Sequence, residues 1–302
     1  MVASSNGPET PMIWGGVPVP ARDRTLRALC SSTARSPPMA TKVQQSSRQA
    51  SSRQTPKTSS LRQPSELRTA GKSTVLILVG GSHQAQRLLR EPKPGVLADV
   101  GGRPFLSFLL EQVEAAGYRK VVLCTGYRSA DVLREYGDSF GSLSLRYSEE
   151  ELPQGTGGAL RWAAQFAESE RVLAMKGDSF CDVDLRAFES WAEAQGSDAA
   201  LVAFGMDKAK NQAVLDLADD RVVGVRASGS SPGFSWVNAG IYSLRCEFLR
   251  SLPLCGPFSL EHDIFERQLL GRVAAYRHCG RFLDLGKQDS LASIERFLEQ
   301  EF

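Results

Sequence analysis

The residues that could do chemistry lie at the ends of apolar runs. The run 74–79 breaks at Gly80-Gly81, and a polar loop follows to Lys93, which stands between Pro92 and Pro94. A glycine pair after a first strand admits a ligand to the backbone with no Cβ in the way. Loop amides can then face an anion, and a fixed lysine adds a point charge. Alone, such a pair is more often only a turn. Asp178, in Lys176-Gly177-Asp178-Ser179, and Asp284, in Phe282-Leu283-Asp284-Leu285-Gly286, each put a carboxylate after such a run. Two carboxylates from separate strands could hold one Mg²⁺ and leave positions for phosphate oxygens and water. A turn or helix cap is the competing role for Asp178. Asp182, Asp184 and Asp289 are competing ligands, with Asp184 expected to start a helix at Leu185.

Two further stretches suggest recognition. In Glu149-Glu150-Glu151-Leu152-Pro153-Gln154-Gly155-Thr156-Gly157-Gly158-Ala159, the glycines permit close approach by something flat, such as a nucleobase. Three glutamates in a row are usually a solvated loop, but Glu150 could accept from the two adjacent N–H donors of guanine. Asn238 sits inside the apolar run 236–244, where its amide either completes a backbone network or reads a polar ligand.

These residues need strands to hold them. From Ser73 the text alternates strands (74–79, 120–125, 143–147, 171–175, 199–204) with helices (104–116, 129–136, 157–167, 185–195). That rhythm predicts an α/β fold: a Rossmann-like, mainly parallel sheet covered by helices on both faces, with ligands beyond the carboxyl ends of its strands. After Gly205 the pattern turns mixed. A hairpin is expected over 212–217 and 221–226, a strand over 236–244, a helix over 259–270, strands over 273–276 and 282–285, and a closing helix over 287–299.

Composition divides the chain near Lys72. Residues 1–72 hold eleven Lys or Arg against three acids, with dense Ser, Thr, Gln and Pro and few large apolar residues, the text of a disordered basic tail. Removing its +8 from the net +2 leaves −6 on residues 73–302, which argues against a nucleic-acid groove there. The tail is Arg- and Ser-rich like an organellar transit segment but lacks a convincing amphipathic helix. Met39 makes a mis-assigned start the competing account. The expected location is cytoplasmic, or a plastid or other organelle if the tail is a transit segment. No apolar stretch nears the roughly 20 residues of a membrane span. The six cysteines form no CxxC pair and read as reduced, mostly structural thiols, and three histidines argue against a histidine-rich zinc site.

Taken together, VLILVGG, Pro92-Lys93-Pro94, GGRPFLSFLLEQVEAAGYRKVVLCTGY, YSEEELPQGTGGAL, KGDSFCDVDL, VNAGIYSL, GPFSLEHDIF and FLDLGKQDSL resemble, in order, the sugar-1-phosphate nucleotidyltransferases, and among them the D-glycero-D-manno-heptose 1-phosphate guanylyltransferase group. The resemblance implies a nucleotide-diphospho-sugar transferase fold over residues 73–302. It implies attack by a sugar 1-phosphate on the α-phosphorus of a nucleoside triphosphate, GTP favoured, giving an NDP-sugar and pyrophosphate. Asp178 and Asp284 would then be Mg²⁺ ligands, and Lys93, with Arg87, would act on the phosphates. Gly80, Gly81, Glu150, Gly155 and Gly157 would surround the nucleotide, and Asn238 would contact the sugar. No nucleic-acid or membrane partner is implied, and a homo-oligomer is compatible.

The sequence also departs from that family. Members usually carry Gly-x-Gly-Thr-Arg-Leu after the first strand, where this chain has Gly80-Gly81-Ser82-His83-Gln84-Ala85-Gln86-Arg87-Leu88, so Arg87-Leu88 would stand in for the Arg-Leu pair. Members tend to have Glu-Lys after the later hairpin, with the lysine on the sugar phosphate. Here the text is Val225-Arg226-Ala227-Ser228, leaving Arg226 to supply charge. Two alternatives follow: a catalytically degenerate protein that binds nucleotide or NDP-sugar as a regulatory module, and transfer to a non-sugar phosphate such as phosphocholine.

Overall fold

The computed structural model describes residues 73–80, 95–126, 129–207, 209, 212–226, 233–252 and 256–285. All belong to the second of the two units into which the chain divides, Arg62–Phe302. The boundary expected near Lys72 and the closing helix expected over 287–299 lie outside the described residues.

In chain order the first strands are β1 (Thr74–Leu78), β2 (Asp99–Val100), β3 (Arg103–Pro104), β4 (Lys120–Thr125), β5 (Ser139–Phe140), β6 (Leu143–Glu149) and β7 (Arg171–Lys176). Then come β8 (Ser179–Cys181), β9 (Ala199–Asp207), β10 (Val214–Ala218), β11 (Arg221–Arg226), β12 (Phe234–Arg245), β13 (Ala274–His278) and β14 (Phe282–Asp284). The helices are α1 (Phe105–Ala115), α2 (Ser129–Tyr136), α3 (Gly155–Ala163), α4 (Leu185–Ala194) and α5 (Cys246–Ser251). A π-helix spans Leu260–Glu266.

The runs TVLIL of β1 and RVLAMK of β7 are buried on both faces, as central parallel strands must be. They form part of one sheet in the order β10-β11-β13-β9-β12-β7-β1-β4-β6-β5. Strands β7, β1, β4 and β6 are parallel neighbours, so Leu78 aligns with Lys176 on one side and Cys124 on the other, and their carboxyl ends form one edge. Strand β12 runs antiparallel between β7 and β9 and makes the second half mixed, while β13 is parallel to β9. Helices α1, α2 and α4 bury Phe105, Leu109, Val132 and Phe188 on one face. On the other face lie Leu160 of α3, Leu249 of α5, and Leu260 and Ile264 of the π-helix.

Three local differences from the sequence expectations bear on function. The stretch after Asp178 is not plain loop: β8 pairs antiparallel with β14 in a separate two-stranded ribbon, with Asp284 opposite Ser179 and Phe282 opposite Cys181. Three residues each are too short for alternation to reveal them. The helix expected over 259–270 is instead a wide π turn, a form often found at functional sites. Ser259 caps it by accepting from the His262 N–H at 3.1 Å. The helix expected over 157–167 starts earlier, at Gly155, and ends in a 3₁₀ turn, Ala164–Phe166. The hairpin turns through Asp219 and Asp220, both at positive φ, as a two-residue connection requires. Asp184 caps α4, accepting from the N–H groups of Arg186 and Ala187.

Candidate active site

At the carboxyl edge of β1, β4, β6 and β7 lie Gly80, Glu150 and Asp178, just after β1, β6 and β7. Gly80 follows β1 and donates to the Cys124 carbonyl at 3.1 Å. A Cβ there would stand 2.8 Å from the Gly126 nitrogen, so the glycine lets two backbones meet. Glu150 follows β6, its N–H bonded to the Thr125 carbonyl at 3.0 Å. Gly81, Arg87 and Lys93 lie outside the described residues.

Asp178 and Asp284 are brought side by side. The β8–β14 pairing sets Asp284 opposite Ser179, and the next residue, Leu285, donates its N–H to the Asp178 carbonyl at 2.8 Å. Gln212 donates to Asp284 Oδ2 at 3.2 Å. Burial raises the Asp178 carboxyl above its usual range; Lys176 opposes that shift and neighbouring Asp284 adds to it. Two partly buried carboxylates set side by side suit a hard divalent cation, which would offset the charge that Asp284 places beside Asp178.

Sequence reasoning passed over a partly buried network beside these aspartates. Lys176, the last residue of β7, has its Nζ 3.8 Å from Glu261 Oε1, an ion pair too long for a hydrogen bond. Burial works against the ammonium, but Glu261, Asp178 and Asp284 outweigh it and raise the lysine's pKa, so it is charged at neutral pH. The other bonds of Glu261 are all made. Tyr242, fully buried, donates to Oε1 at 2.8 Å, while Thr156 and Ser259 donate to Oε2 at 2.7 and 2.9 Å. Burial pushes this carboxyl up, yet Lys176 and the hydroxyl donors hold it below the usual range. A lysine closing an apolar strand, and a glutamate in the first turn of the helix expected over 259–270, were the available signals. Neither names a partner in a sequence, because the pair joins positions far apart in the chain.

Asn238 completes a network of its own. Strand β12 shifts register against β9 between Asn238 and Tyr242, a bulge in which Gly240 takes φ 77°. Asn238 Oδ1 accepts from the Gly240 N–H at 2.9 Å, and its Nδ2 donates to the Tyr242 hydroxyl at 3.1 Å. A Cβ on residue 240 would come within 2.9 Å of Lys176 Cδ, so the bulged glycine makes the channel for the lysine stem. Of the two roles open in the sequence, the backbone network is the one seen; one amide hydrogen is left over for another acceptor.

Gly155 and Gly157 are glycines for a different reason than the sequence suggested. The flat group they admit is Phe258: a Cβ on Gly157 would lie 2.2 Å from its ring, and one on Gly155 2.4 Å from its carbonyl oxygen. Gly155 also takes φ 73°. Glu150 keeps a stronger link to a ligand. Its Oε2 accepts from the Gln154 N–H at 3.3 Å, whereas its buried Oε1 has no partner among the described residues. Burial raises its pKa. Arg226, the cation expected near the sugar phosphate, spends its Nε on Asp216 across the exposed hairpin at 3.0 Å. A cavity of about 740 Å³ lies at the opposite edge of the sheet, by Ser73, Arg171 and Arg245, away from these groups.

The fold is that of the nucleotidyltransferases. The chain belongs to the nucleotidyl transferase family, which it matches over residues 74–301. It is 26% identical over 225 residues to the D-glycero-alpha-D-manno-heptose 1-phosphate guanylyltransferase of Aneurinibacillus thermoaerophilus, covering 74% of this chain and 97% of that protein. It is 28% identical over 217 residues to a mannose-1-phosphate guanylyltransferase of Mycobacterium tuberculosis, covering 70% of this chain and 60% of that one. The crystal structure of HddC from Yersinia pseudotuberculosis matches with a TM-score of 0.66 at 26% identity, over 74% of this chain and 99% of that chain. Among the described residues, no helix is long and apolar enough to cross a membrane.

Proposed function

We propose that this protein transfers a nucleotidyl group from a nucleoside triphosphate, GTP favoured, to a sugar 1-phosphate, giving an NDP-sugar and pyrophosphate. The observation that carries this reading is the meeting of Asp178, Asp284 and Lys176 at the carboxyl edge of the sheet. The relatives named as sugar-1-phosphate guanylyltransferases support the substrate class.

In the reaction an oxygen of the sugar phosphate bonds to the α-phosphorus as the bond from that phosphorus to the bridging oxygen breaks, and pyrophosphate leaves with the electron pair. The protein's part is positioning and charge neutralisation. Asp178 and Asp284 would hold Mg²⁺, which when bound offsets the negative charge of the phosphates. Lys176 presents its ammonium to the sugar phosphate, the role the tethered Arg226 does not fill, and Glu261 holds it there. Lys93 and Arg87 act on the triphosphate. Glu150 accepts through Oε1 from the guanine N–H donors, Gly80 and Gly81 border the nucleotide, and Asn238 offers its remaining N–H to the sugar. Gly155 and Gly157 serve this site by seating Phe258 beneath its loop.

The test is pyrophosphate release by the full chain with Mg²⁺, crossing four nucleoside triphosphates with mannose, heptose and glucose 1-phosphates and phosphocholine. Release with GTP and a mannose-type sugar phosphate is expected. A folded protein that releases none with any pair, while binding an NDP-sugar, would overturn the reading in favour of a degenerate binder.

A further inference from the structure

The β8–β14 ribbon has a second chemically equipped end. At the end away from Asp284, the Asp182 N–H bonds to the Arg281 carbonyl at 3.2 Å. The strand ending at His278 returns through Cys279 and Gly280 to the same place. Cys181, Asp182 and His278 thereby bring one sulfur, one carboxylate oxygen and one imidazole nitrogen within 4.8 Å of one another. None of the three has a part in the reading of the active site given above.

We propose that Cys181, Asp182 and His278 form a binding site for a transition-metal ion of the Zn²⁺ type. The donor set is the first argument. A thiolate, a carboxylate and an imidazole together suit a borderline-soft ion, and select against Mg²⁺ and Ca²⁺, which take oxygen. Room is the second. A Cβ on Gly280 would stand 2.3 Å from Asp182 Oδ1 and 2.8 Å from His278 Nε2, so the glycine keeps open the space directly over two of the three donors. Ligands at roughly 2.0–2.3 Å around a tetrahedral ion stand about 3.5 Å apart, so Asp182 and His278, at 2.8 Å, would part slightly to admit it. Orientation is the third. His278 Nε2 and Asp182 Oδ1 are 2.8 Å apart, the contact into which the ion would insert, and Arg281 Nε lies 3.4 Å from the other carboxylate oxygen. A partner on the second oxygen is what fixes a ligating carboxylate.

Charge and proton balance follow. Cys181 is buried, and burial pushes its thiol up to about 12, so without metal it is neutral. Binding converts the thiol to a thiolate and releases its proton to solvent. Thiolate and carboxylate then neutralise the dication, and the imidazole binds uncharged. His278 and Asp182 are 21% and 25% exposed, which gives the ion a route in and a fourth position for water. Such an ion would clamp β8 to the turn after β13, and so hold the ribbon that carries Asp284.

The competing account is a metal-free ion network of Asp182 with His278 and Arg281. The two separate cleanly by titrating the reduced full chain with Co²⁺ in excess Mg²⁺ and reading the near-ultraviolet thiolate-to-cobalt band and the proton released. We expect one equivalent of band, reversed by Zn²⁺, with one proton released. It should be absent in Cys181→Ser, weakened at least tenfold in His278→Gln, and kept in Cys279→Ser. Because Cys181→Ser alters a buried residue, circular dichroism is matched for every variant, and the partly exposed His278→Gln is read beside it. Absence of the band at millimolar Co²⁺ would overturn the site, as would its survival at full affinity in Cys181→Ser or His278→Gln, or its loss in Cys279→Ser. Each result stands whether or not the protein transfers nucleotides.

Discussion

The ammonium of Lys176 and the carboxylate of Glu261 stand 3.8 Å apart, and that carboxylate also accepts from the hydroxyls of Tyr242, Thr156 and Ser259. The lysine is thus charged and held without being saturated, leaving its N–H donors for an incoming anion. Lys176→Met should lower kcat/KM for the sugar phosphate by about 10- to 150-fold, the equivalent of one charged hydrogen bond. Lys176→Arg should recover part of the loss, and the KM for GTP should move far less. Steady-state kinetics that leave Lys176→Met indistinguishable from the parent would remove the lysine from the site.

Asp178 gives a prediction whose sign is unusual for an acidic residue. Its carboxyl is raised by burial, with Lys176 opposing and Asp284 adding. Such a group stabilises the fold fully below its unfolded pKa, and that contribution is lost as pH rises through the folded value. In chelator, Asp178→Asn should therefore melt no lower than the parent at pH 7 and lose less stability as pH rises from the ordinary carboxylate range to neutrality. Mg²⁺ should raise the melting temperature of the parent but not of the variant. Melting curves across that pH range, with and without Mg²⁺, check both halves; a variant markedly less stable in chelator at pH 7 would contradict the charge argument.

Glu150 keeps a buried oxygen without a partner among the described residues. If a base supplies the missing donors, Glu150→Gln should raise the KM for GTP about tenfold or more and leave that for the sugar phosphate nearly unchanged. Its stability should hold or rise, since charge is removed from a group whose buried Oε1 has no partner among the described residues. Equal losses for both substrates would point to a structural role instead.

Phe258 fills the space over Gly155 and Gly157. Gly157→Ala should cost about 1–3 kcal/mol by overpacking, and Phe258→Leu in the same chain should return part of it. Gly155→Ala should be worse, and no change at Phe258 should rescue its positive φ or its clash with a backbone oxygen. Urea denaturation of the three single variants, Gly155→Ala, Gly157→Ala and Phe258→Leu, and the two doubles measures the coupling.

How much of this was legible in the sequence depended on range. Strands such as 120–125, which the structure reproduces residue for residue, and the cap at Asp184 are set by neighbouring residues, and pattern reading finds them. The edge that gathers Gly80, Glu150 and Asp178 followed from strand–helix alternation. The ribbon of β8 and β14 did not, because three-residue strands carry no period. The Lys176–Glu261–Tyr242 network was hidden for another cause: each member looks ordinary in its own segment, and only the π turn and the β12 bulge aim them together. Gly155 and Gly157 were legible as glycines that give clearance, and Phe258 as an occupant of it was not, since an aromatic side chain and a base ask the same of a backbone.

The pairing of β14 with β8 also sets the order in which competence arises. Asp178 lies well before Asp284 in the chain, and β1, β4, β6 and β7 all lie before β14, so the parallel core can collapse while one carboxylate is still missing. Pairings so distant in sequence are slow to close. A chain cut before β14 would hold the parallel strands and no complete carboxylate pair.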